Sequence, residues 1–196
     1  MRALLVPVKS FRTAKLRLAP VLNASERAEL ARSLAAGVLA AAGSLESNVV
    51  CDDEEVAQWA RSLGARVIWT PGLGLSGAVQ AGVETLAGEG VSLVVVAHAD
   101  LPNAGLLDAL GEPGRVTLVP DLRADGTNVA VVPAAAGFRF AYGTGSFERH
   151  CAEAARLRLP CDIVHDARLA ADVDLPADLA HVGSAQLALI RGAGAS

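Results

Sequence analysis

The segment VSLVVVAHADLP, residues 91–102, gives the clearest indication of the fold class. Its almost continuous apolar run, residues 91–97, predicts a strand buried on both faces, which is typical of a parallel sheet covered by helices on each side. Asp100 stands three residues after this run, and an unpaired carboxylate is costly to bury in a core. We therefore expect Asp100 either to cap a following helix or to hold a positively charged group.

Strand and helix patterns alternate through residue 120, and the alternation then loosens. Asn23, with Glu26 three residues later, resembles a capping box at the start of a helix. The patterns predict an α/β domain over residues 1–196 with a mostly parallel central sheet, helices on both faces and a frayed tail at 191–196. Strands are predicted at 3–8, 48–51, 65–69, 91–97, 115–120, 129–133 and 161–165, with a further strand entering a glycine-rich turn within 138–147. Helices are predicted at 23–42, 53–63, 78–87, 104–110 and 148–157, with a final helix within 172–190, and loops at 9–22 and 70–77.

Composition excludes several classes of protein. The formal net charge of the 196 residues is −4, so the chain has no global basic field that would attract nucleic acid. No apolar run reaches the length needed to cross a membrane. The three cysteines are far apart with no CxxC pair, which fits neither a zinc site nor a disulfide framework and makes a reducing cytoplasm the simplest setting.

Five polar segments are predicted to meet at one edge of the sheet. In an open parallel sheet, ligands bind outside the carboxyl ends of the strands. That rule groups the basic loop at 9–22, PGLGLSG at 71–77, HADLP at 98–102, PDLRADGTN at 120–128 and YGTGSF at 142–147.

The basic loop carries Lys9, Arg12, Lys15 and Arg17. It is either a solvated turn or a site where ammonium, guanidinium and backbone N–H groups share the charge of a triphosphate. The loop does not match the GxxxxGK[ST] pattern of P-loop enzymes, and no GxGxxG follows the first strand, which disfavours a dinucleotide-dependent redox enzyme.

Acidic residues offer a metal site. Pro102 delays any following helix, which weakens the interpretation of Asp100 as a cap near Asn103. Mg²⁺ takes one or two carboxylates together with phosphate oxygens and water. The segment DVDLP supplies Asp172 and Asp174, although Asp174 would serve equally as a helix cap and Asp172 as a solvated acid.

Two turns rich in small residues, DGTN at 125–128 and GTGS at 143–146, are either punctuation or anion sites. The second leads directly into a helix, so Ser146 and the free N–H groups there can hold a small anion. His150 lies one turn further along, and a lone helical histidine is more often structural than a ligand contact.

Taken together and in collinear order, VPVKSFRTAKLRLAPVLNASERAEL, HADLP, PDLRADGTN, YGTGSFERH and DVDLPADL resemble a known family. This family comprises the 2-phospho-L-lactate guanylyltransferases of coenzyme F-420 biosynthesis and their bacterial phosphoenolpyruvate guanylyltransferase relatives. The segments KSFRTAK and GTGSFERH carry the resemblance most specifically, whereas HADLP is shared by many nucleotidyltransferases of the same fold.

The resemblance implies a single Rossmann-like nucleotidyltransferase domain. Such an enzyme would use GTP, Mg²⁺ and a phosphorylated three-carbon acid, with phosphoenolpyruvate favoured over 2-phospho-L-lactate, and would release pyrophosphate. It would need neither nucleic acid nor membrane, and a homodimer stays open. The residues it implicates are Lys15, Asp100 and Asp174 in catalysis; Lys9, Arg12, Lys15, Gly74 and Ser76 in nucleotide binding; Thr127, Gly143 and Ser146 in acceptor binding; and Asp100 and Asp174 as metal ligands, with Asp172 as the substitute.

Two other readings stay open. A cytidylyltransferase or molybdenum-cofactor nucleotidyltransferase of the same fold would share ADLP, but usually has a glycine-rich first loop. A non-catalytic nucleotide-binding module would bind GTP without a metal and without turnover. One departure from the family concerns the base: where the family usually has Leu-Asn before the helix after the third strand, this chain has GLSGA, with Ser76 in place of an amide.

Overall fold

The computed structural model describes residues 1–193. A seven-stranded sheet forms its centre, with strand order β3-β2-β1-β4-β6-β5-β7. β6 runs antiparallel to β4 and β5, and the other four pairings are parallel, which confirms a mostly parallel sheet. The strands are β1 (Arg2–Pro7), β2 (Glu46–Cys51), β3 (Arg66–Trp69), β4 (Leu93–Ala97), β5 (Val116–Pro120), β6 (Thr127–Pro133) and β7 (Cys161–Ile163).

The helices begin close to the predicted positions. The capping box is present, since the Asn23 side chain accepts from the Glu26 N–H at 3.0 Å and Glu26 accepts from the Asn23 N–H at 2.7 Å. The helices are α1 (Ala24–Ala40), α2 (Glu54–Ser62), α3 (Gly74–Gly88), α4 (Ser146–Arg156), α5 (Ala167–Ala170) and α6 (Ser184–Ala193). Short 3₁₀ turns at Phe11–Thr13 and Leu16–Leu18 interrupt the predicted loop at 9–22.

Helices cover both faces of the sheet. Alternate residues of β1 enter different cores: Leu4 packs with residues of α1 and α2, whereas Leu5 packs with residues of α3. Helix α3 approaches the sheet so closely at Gly82 that a Cβ there would lie 2.8 Å from a Leu5 methyl. This double covering explains why the strands read as continuous apolar runs.

The helix predicted at 104–110 is wrong, because only a three-residue 3₁₀ turn, Leu107–Ala109, forms there. The Arg2 guanidinium bonds the carbonyls of Asp108 and Leu110, and the Asp108 carboxylate accepts from the backbone N–H of Ser44 at 2.8 Å. A side chain from a distant segment thus bonds backbone carbonyl groups that would otherwise be available for hydrogen bonds within a helix.

The strand predicted within 138–147 is also wrong. Side chains satisfy its backbone N–H groups instead of a neighbouring strand: Phe140 N–H donates to Gln80, and Tyr142 N–H donates to the Ser76 hydroxyl at 3.0 Å. The apolar residues that suggested a strand, Phe138 and Phe140, are buried against the core on the α3 face. The strand-like pattern of this segment is therefore explained by the burial of its aromatic side chains and not by pairing within the sheet.

Other boundaries shift modestly. Helix α3 begins at Gly74, inside the predicted turn at 70–77, and α6 continues through Ala193. Of the predicted frayed tail at 191–196, residues 194–196 lie outside the described residues. Among residues 1–193, no helix has the length and apolar character needed to cross a membrane.

Candidate active site

A cleft opens at the carboxyl edge of β1 and β4. Its larger cavity, of about 400 Å³, lies between the basic loop and the residues that follow β4, and its lining includes Lys9, Lys15, Arg17, Asp100 and Asp174. The antiparallel strand β6 begins at this same edge, since its Thr127 pairs with Pro120 at the end of β5. The predicted convergence of polar segments therefore rests on four parallel strands and one reversed strand.

Lys15 lies at the centre of the cleft. Its ammonium donates to Asp100 Oδ2 at 2.6 Å and to Asp174 Oδ1 at 3.1 Å. Its backbone adopts the left-handed conformation, with φ 52° and ψ 40°, an uncommon arrangement for a residue with a side chain that is often stored at functional sites. Asp100 therefore holds a positive group and does not cap a helix.

The charges of the cleft are coupled. Burial alone would lower the pKa of Lys15, but Asp100 and Asp174 outweigh it and raise that pKa above its ordinary value. Burial would raise the pKa of Asp100, but Lys15 and His98 hold it below the usual range. Burial, together with the nearby Asp100 and Asp174, raises the pKa of Asp172 to about 6. The cluster thus contains more carboxylate charge than Lys15 alone neutralises.

These carboxylates fit a magnesium ion. Oxygen atoms of Asp100, Asp172 and Asp174 all lie within 4.8 Å of one another. Asp100 Oδ1 is buried and has no hydrogen-bond partner among the described residues. Hard oxygen donors, an unpartnered buried carboxylate oxygen and surplus negative charge match the preferences of Mg²⁺.

The predicted nucleotide-binding residues are spread around the cleft. Lys9 lines both the larger cavity and a smaller neighbouring one, and Gly74 lines the smaller. Arg12 is three-quarters exposed and faces Asp53 at 3.6 Å, which draws it towards the start of α2. The Ser76 hydroxyl accepts from the Tyr142 N–H. Lys9, Lys15 and Gly74 thus line cavities, whereas Arg12 and Ser76 contact other parts of the protein.

The predicted acceptor residues lie further along the same edge, and neither cavity is lined by them. Gly143 is exposed, with φ +107°, whereas Thr127 and Ser146 are each 1% exposed. The free N–H groups expected before α4 are partly taken, because Gly145 N–H donates to the Asp125 carboxylate at 2.9 Å. Contact of these residues with an acceptor stays a prediction.

His150 is fully buried and joins two segments. Its Nε2 accepts from the Ala141 N–H at 3.0 Å, which leaves the proton on Nδ1, 3.0 Å from the Thr127 hydroxyl oxygen. Burial, with a smaller contribution from Arg149, lowers the pKa of His150 to about 4. The geometry makes His150 a structural residue that holds the segment at Ala141 against the start of β6.

This pKa predicts a pH-dependent contribution to stability. Because the folded-state pKa of His150 lies below that of the unfolded chain, the contribution is fully present above about pH 6.5 and is lost as the pH falls towards 4. The lost free energy of unfolding is about 3 kcal/mol at about 1.36 kcal/mol per pKa unit. We expect the stability difference between the native protein and His150→Gln to shrink over that range in urea titrations.

The difference in the free energy of unfolding between the two proteins at each pH cancels the contributions of titrating groups that both contain, including Asp172 and the neighbouring Glu153. A stability difference that stays constant between pH 7 and pH 4 would show that His150 has the same pKa in the folded and unfolded protein.

Two residues of the cleft, His98 and Asp52, were not among the candidates identified from the sequence motifs. His98 lines the larger cavity, its ring centroid lies 5.0 Å from that of Tyr142 in a tilted arrangement, and its Nε2 is buried without a partner in the described chain. Asp52 follows β2 directly and lines the smaller cavity. The rule that singled out Asp100, a polar residue just past an apolar strand, applies equally to both.

Comparisons with known proteins bear on the whole cleft. The family described as "Guanylyl transferase CofC like" matches residues 1–185. A phosphoenolpyruvate guanylyltransferase from Sphaerobacter thermophilus is 37% identical over 183 residues, which cover 89% of this chain and 88% of that protein. A 2-phospho-L-lactate guanylyltransferase from Methanothermobacter thermautotrophicus is 30% identical, covering 91% of this chain and 82% of that protein.

A solved structure of a nucleotidyl transferase from the same Methanothermobacter species shares the fold. Its TM-score is 0.67, with 14% sequence identity over 96% of this chain and 99% of that one. At this identity the likeness concerns the fold alone, and it agrees with the Rossmann-like nucleotidyltransferase architecture predicted from the sequence.

Proposed function

The chain belongs to the CofC-like guanylyl transferase family, and from this premise we propose that it transfers GMP from GTP to a phosphorylated three-carbon acid, with phosphoenolpyruvate favoured. The relatives from Sphaerobacter and Rubrobacter, 37% and 34% identical, are named for phosphoenolpyruvate, whereas the Methanothermobacter relative, at 30%, is named for 2-phospho-L-lactate. The high alanine and glycine content, consistent with a GC-rich bacterium, points the same way.

The observation that carries this proposal is the cluster of Lys15, Asp100 and Asp174 at the base of a cleft on the carboxyl edge. All three side chains lie within the part of the chain that matches the family. A lysine surrounded by carboxylates beside a loop of further cations suits a reaction between two anions, which needs charge neutralisation and alignment above all.

In the proposed reaction, a phosphate oxygen of the acceptor attacks the α-phosphorus of GTP. A new phosphoanhydride bond forms as the bond between the α-phosphorus and the bridging oxygen breaks, and pyrophosphate leaves with the bonding electron pair. Asp100 and Asp174 would hold Mg²⁺, with Asp172 beside them as the substitute ligand, and the bound ion would supply positive charge to the phosphate oxygens. Lys15 and Lys9 would add the charge of their ammonium groups to the same oxygens.

The acceptor needs no general base, because a phosphate monoester is largely ionised at neutral pH. His150 agrees with this assignment, since it is buried, neutral and bonded to Ala141 and Thr127. The proposed machinery is therefore electrostatic, and its residues orient the two substrates without removing a proton.

The direct test combines a nucleotide panel with an acceptor panel. The purified protein with Mg²⁺ would receive GTP, CTP or ATP together with phosphoenolpyruvate, 2-phospho-L-lactate or 3-phosphoglycerate, and pyrophosphate release would be followed. We expect the highest kcat/KM with GTP and phosphoenolpyruvate. A preference for CTP would favour a cytidylyltransferase, and GTP binding without turnover on any acceptor would favour a non-catalytic module.

We predict that Lys15→Ala raises the KM for GTP about tenfold or more and leaves the KM for the acceptor less affected. A partly desolvated contact between an ammonium and a phosphate contributes roughly 1.5–3 kcal/mol. Steady-state kinetics with each substrate varied in turn would measure both constants. Arg61→Ala is a matched control, because Arg61 is an exposed cation whose ion-pair partner among residues 1–193 is Glu54, at 3.7 Å. A weakened acceptor beside an unchanged GTP constant would reverse the two subsites.

Four further features belong to the same proposal. The chain would act as one nucleotidyltransferase domain, in the cytoplasm, without a nucleic-acid or membrane partner, and with a homodimer as one open arrangement. All three cysteines are free, which supports a reducing compartment.

A further inference from the structure

A second, smaller cavity of about 200 Å³ adjoins the larger one at the carboxyl ends of β2 and β3. Its walls are largely apolar and include Val8, Val50, Leu75 and Ala78. Largely apolar walls around a cavity of this volume suit a flat aromatic ring. The dimensions and walls of this cavity therefore favour a planar, mostly apolar group over a phosphate.

Asp52 supplies a carboxylate to this cavity. Within residues 1–193 it forms neither a hydrogen bond nor an ion pair, although it lies beside a residue that forms both. That neighbour, Asp53, caps α2 through the Val56 N–H at 3.2 Å and faces Arg12. Of these two consecutive acids, one has a structural role and the other is left available at the cavity.

The cavity also contains an opposite charge that Asp52 does not use. Lys9 lines both cavities, and it forms no ion pair with Asp52 in the described part of the chain. Both side chains are exposed, so an ammonium and a carboxylate are available at this cavity to a bound ligand. Because Lys9 also lines the larger cavity, the two cavities meet at this residue.

We propose that the smaller cavity takes the base of the nucleotide, and that the Asp52 carboxylate selects guanine by accepting hydrogen bonds from its N1–H and 2-amino groups. This inference rests on the proposed function, since it assigns one end of the same substrate. The phosphates then extend past Lys9 towards Lys15 in the larger cavity, where the cations and carboxylates lie.

The chemistry of the bases gives Asp52 its selectivity. Guanine presents two neighbouring donors, N1–H and the 2-amino group, which match the two oxygens of one carboxylate. Adenine and cytosine place an acceptor nitrogen beside their amino group, and uracil has one N–H between two carbonyls, so a carboxylate meets a lone pair in each case. A site built to receive two donors rejects a base that lacks them.

The test is the base selectivity of Asp52→Asn. Binding of GTP, ITP, XTP and ATP to the protein with Mg²⁺ would be measured by calorimetry without acceptor, and kcat/KM for pyrophosphate release would be measured with phosphoenolpyruvate. For the native protein we expect GTP to bind at least about tenfold more tightly than ITP, which lacks the 2-amino group. Asp162→Asn is the matched control, because Asp162 lies on the edge strand β7, away from the cavity, and pairs with Arg115.

In Asp52→Asn we expect GTP to bind about 10- to 100-fold more weakly and XTP to bind at least as tightly as GTP. Asparagine offers one acceptor to N1–H and one donor to the 2-carbonyl of xanthine. An unchanged ratio of XTP to GTP affinity in the variant, or native binding that does not distinguish GTP from ITP, would overturn the assignment. Native GTP selectivity that is lost in Asp52→Asn, without transfer to any acceptor, would retain the base site and remove the proposed function.

Discussion

Replacing Asp100 with asparagine is expected to lower kcat for guanylyl transfer about a thousandfold, equivalent to about 4 kcal/mol of transition-state stabilisation. Asp100 bonds Lys15 at 2.6 Å, and its other oxygen is buried without a partner in the described chain. The amide removes a charge that would hold Mg²⁺ and align Lys15. Initial rates at increasing Mg²⁺ concentrations would show the loss and a weaker dependence on the metal.

The variant is expected to fold normally. The asparagine oxygen can still accept from Lys15, and Asp174 keeps its opposite charge 3.1 Å from that ammonium. Asp108→Asn is a suitable control, since the Asp108 carboxylate bonds Ser44 and lies near Arg2, at the opposite end of β1. Near-native activity in a folded Asp100→Asn protein would remove Asp100 from the metal site.

Asp174→Asn is predicted to have an effect of similar size, again about a thousandfold in kcat. Asp174 contacts both Lys15 and Arg17, and its carboxylate lies with those of Asp100 and Asp172. Asp172→Asn in the same assay should cost less, because no cation contacts Asp172 directly in the described chain and its raised pKa leaves it partly protonated near pH 6. Isothermal titration with Mg²⁺ alone would give the metal affinity of each variant.

The pair of variants separates two arrangements of the metal site. A larger loss in Asp172→Asn than in Asp174→Asn would exchange their roles as ligands. Equal and small losses in both would place the metal elsewhere. Asp166→Asn offers a control on the adjacent segment, since Asp166 caps the short α5 and pairs with Arg168 at 3.0 Å.

The sheet and most of its helices could be predicted from the sequence because apolar periodicity and capping residues act locally. Leu93–Ala97, within the predicted strand at 91–97, are buried on both faces as β4, and Asn23 with Glu26 starts α1. The failures share one physical cause. Around Asp108 and Tyr142, side chains that are distant in the sequence form hydrogen bonds with the backbone. The local sequence pattern cannot indicate these partners, because they lie elsewhere in the chain.

The antiparallel direction of β6 could not be predicted from the sequence either. Its apolar residues read like those of its parallel neighbours, because burial on both faces gives the same pattern in either direction. The predicted convergence of polar segments at one edge holds because DGTN leads into the start of β6, and the amino end of an antiparallel strand lies beside the carboxyl ends of the others.

The candidate site was predictable in its location and less so in its contacts. The placement of Lys15 between Asp100 and Asp174 joins segments 85 and 159 residues apart, which only the fold brings together. Thr127 lies at the predicted edge of the sheet, but its buried hydroxyl contacts His150. Spacing along a chain locates a residue at an edge, whereas the direction of its side chain depends on packing from other elements.

Joining of GMP to the phosphate of a three-carbon acid in this cleft can be followed by phosphorus NMR of the purified protein with GTP, Mg²⁺ and phosphoenolpyruvate. We expect a new phosphoanhydride with one phosphorus from each substrate, formed in equal amount with pyrophosphate, and formed about a thousandfold more slowly by Asp100→Asn. Spectra in which GTP yields only GDP and inorganic phosphate, or in which neither substrate changes, would contradict the proposed reaction.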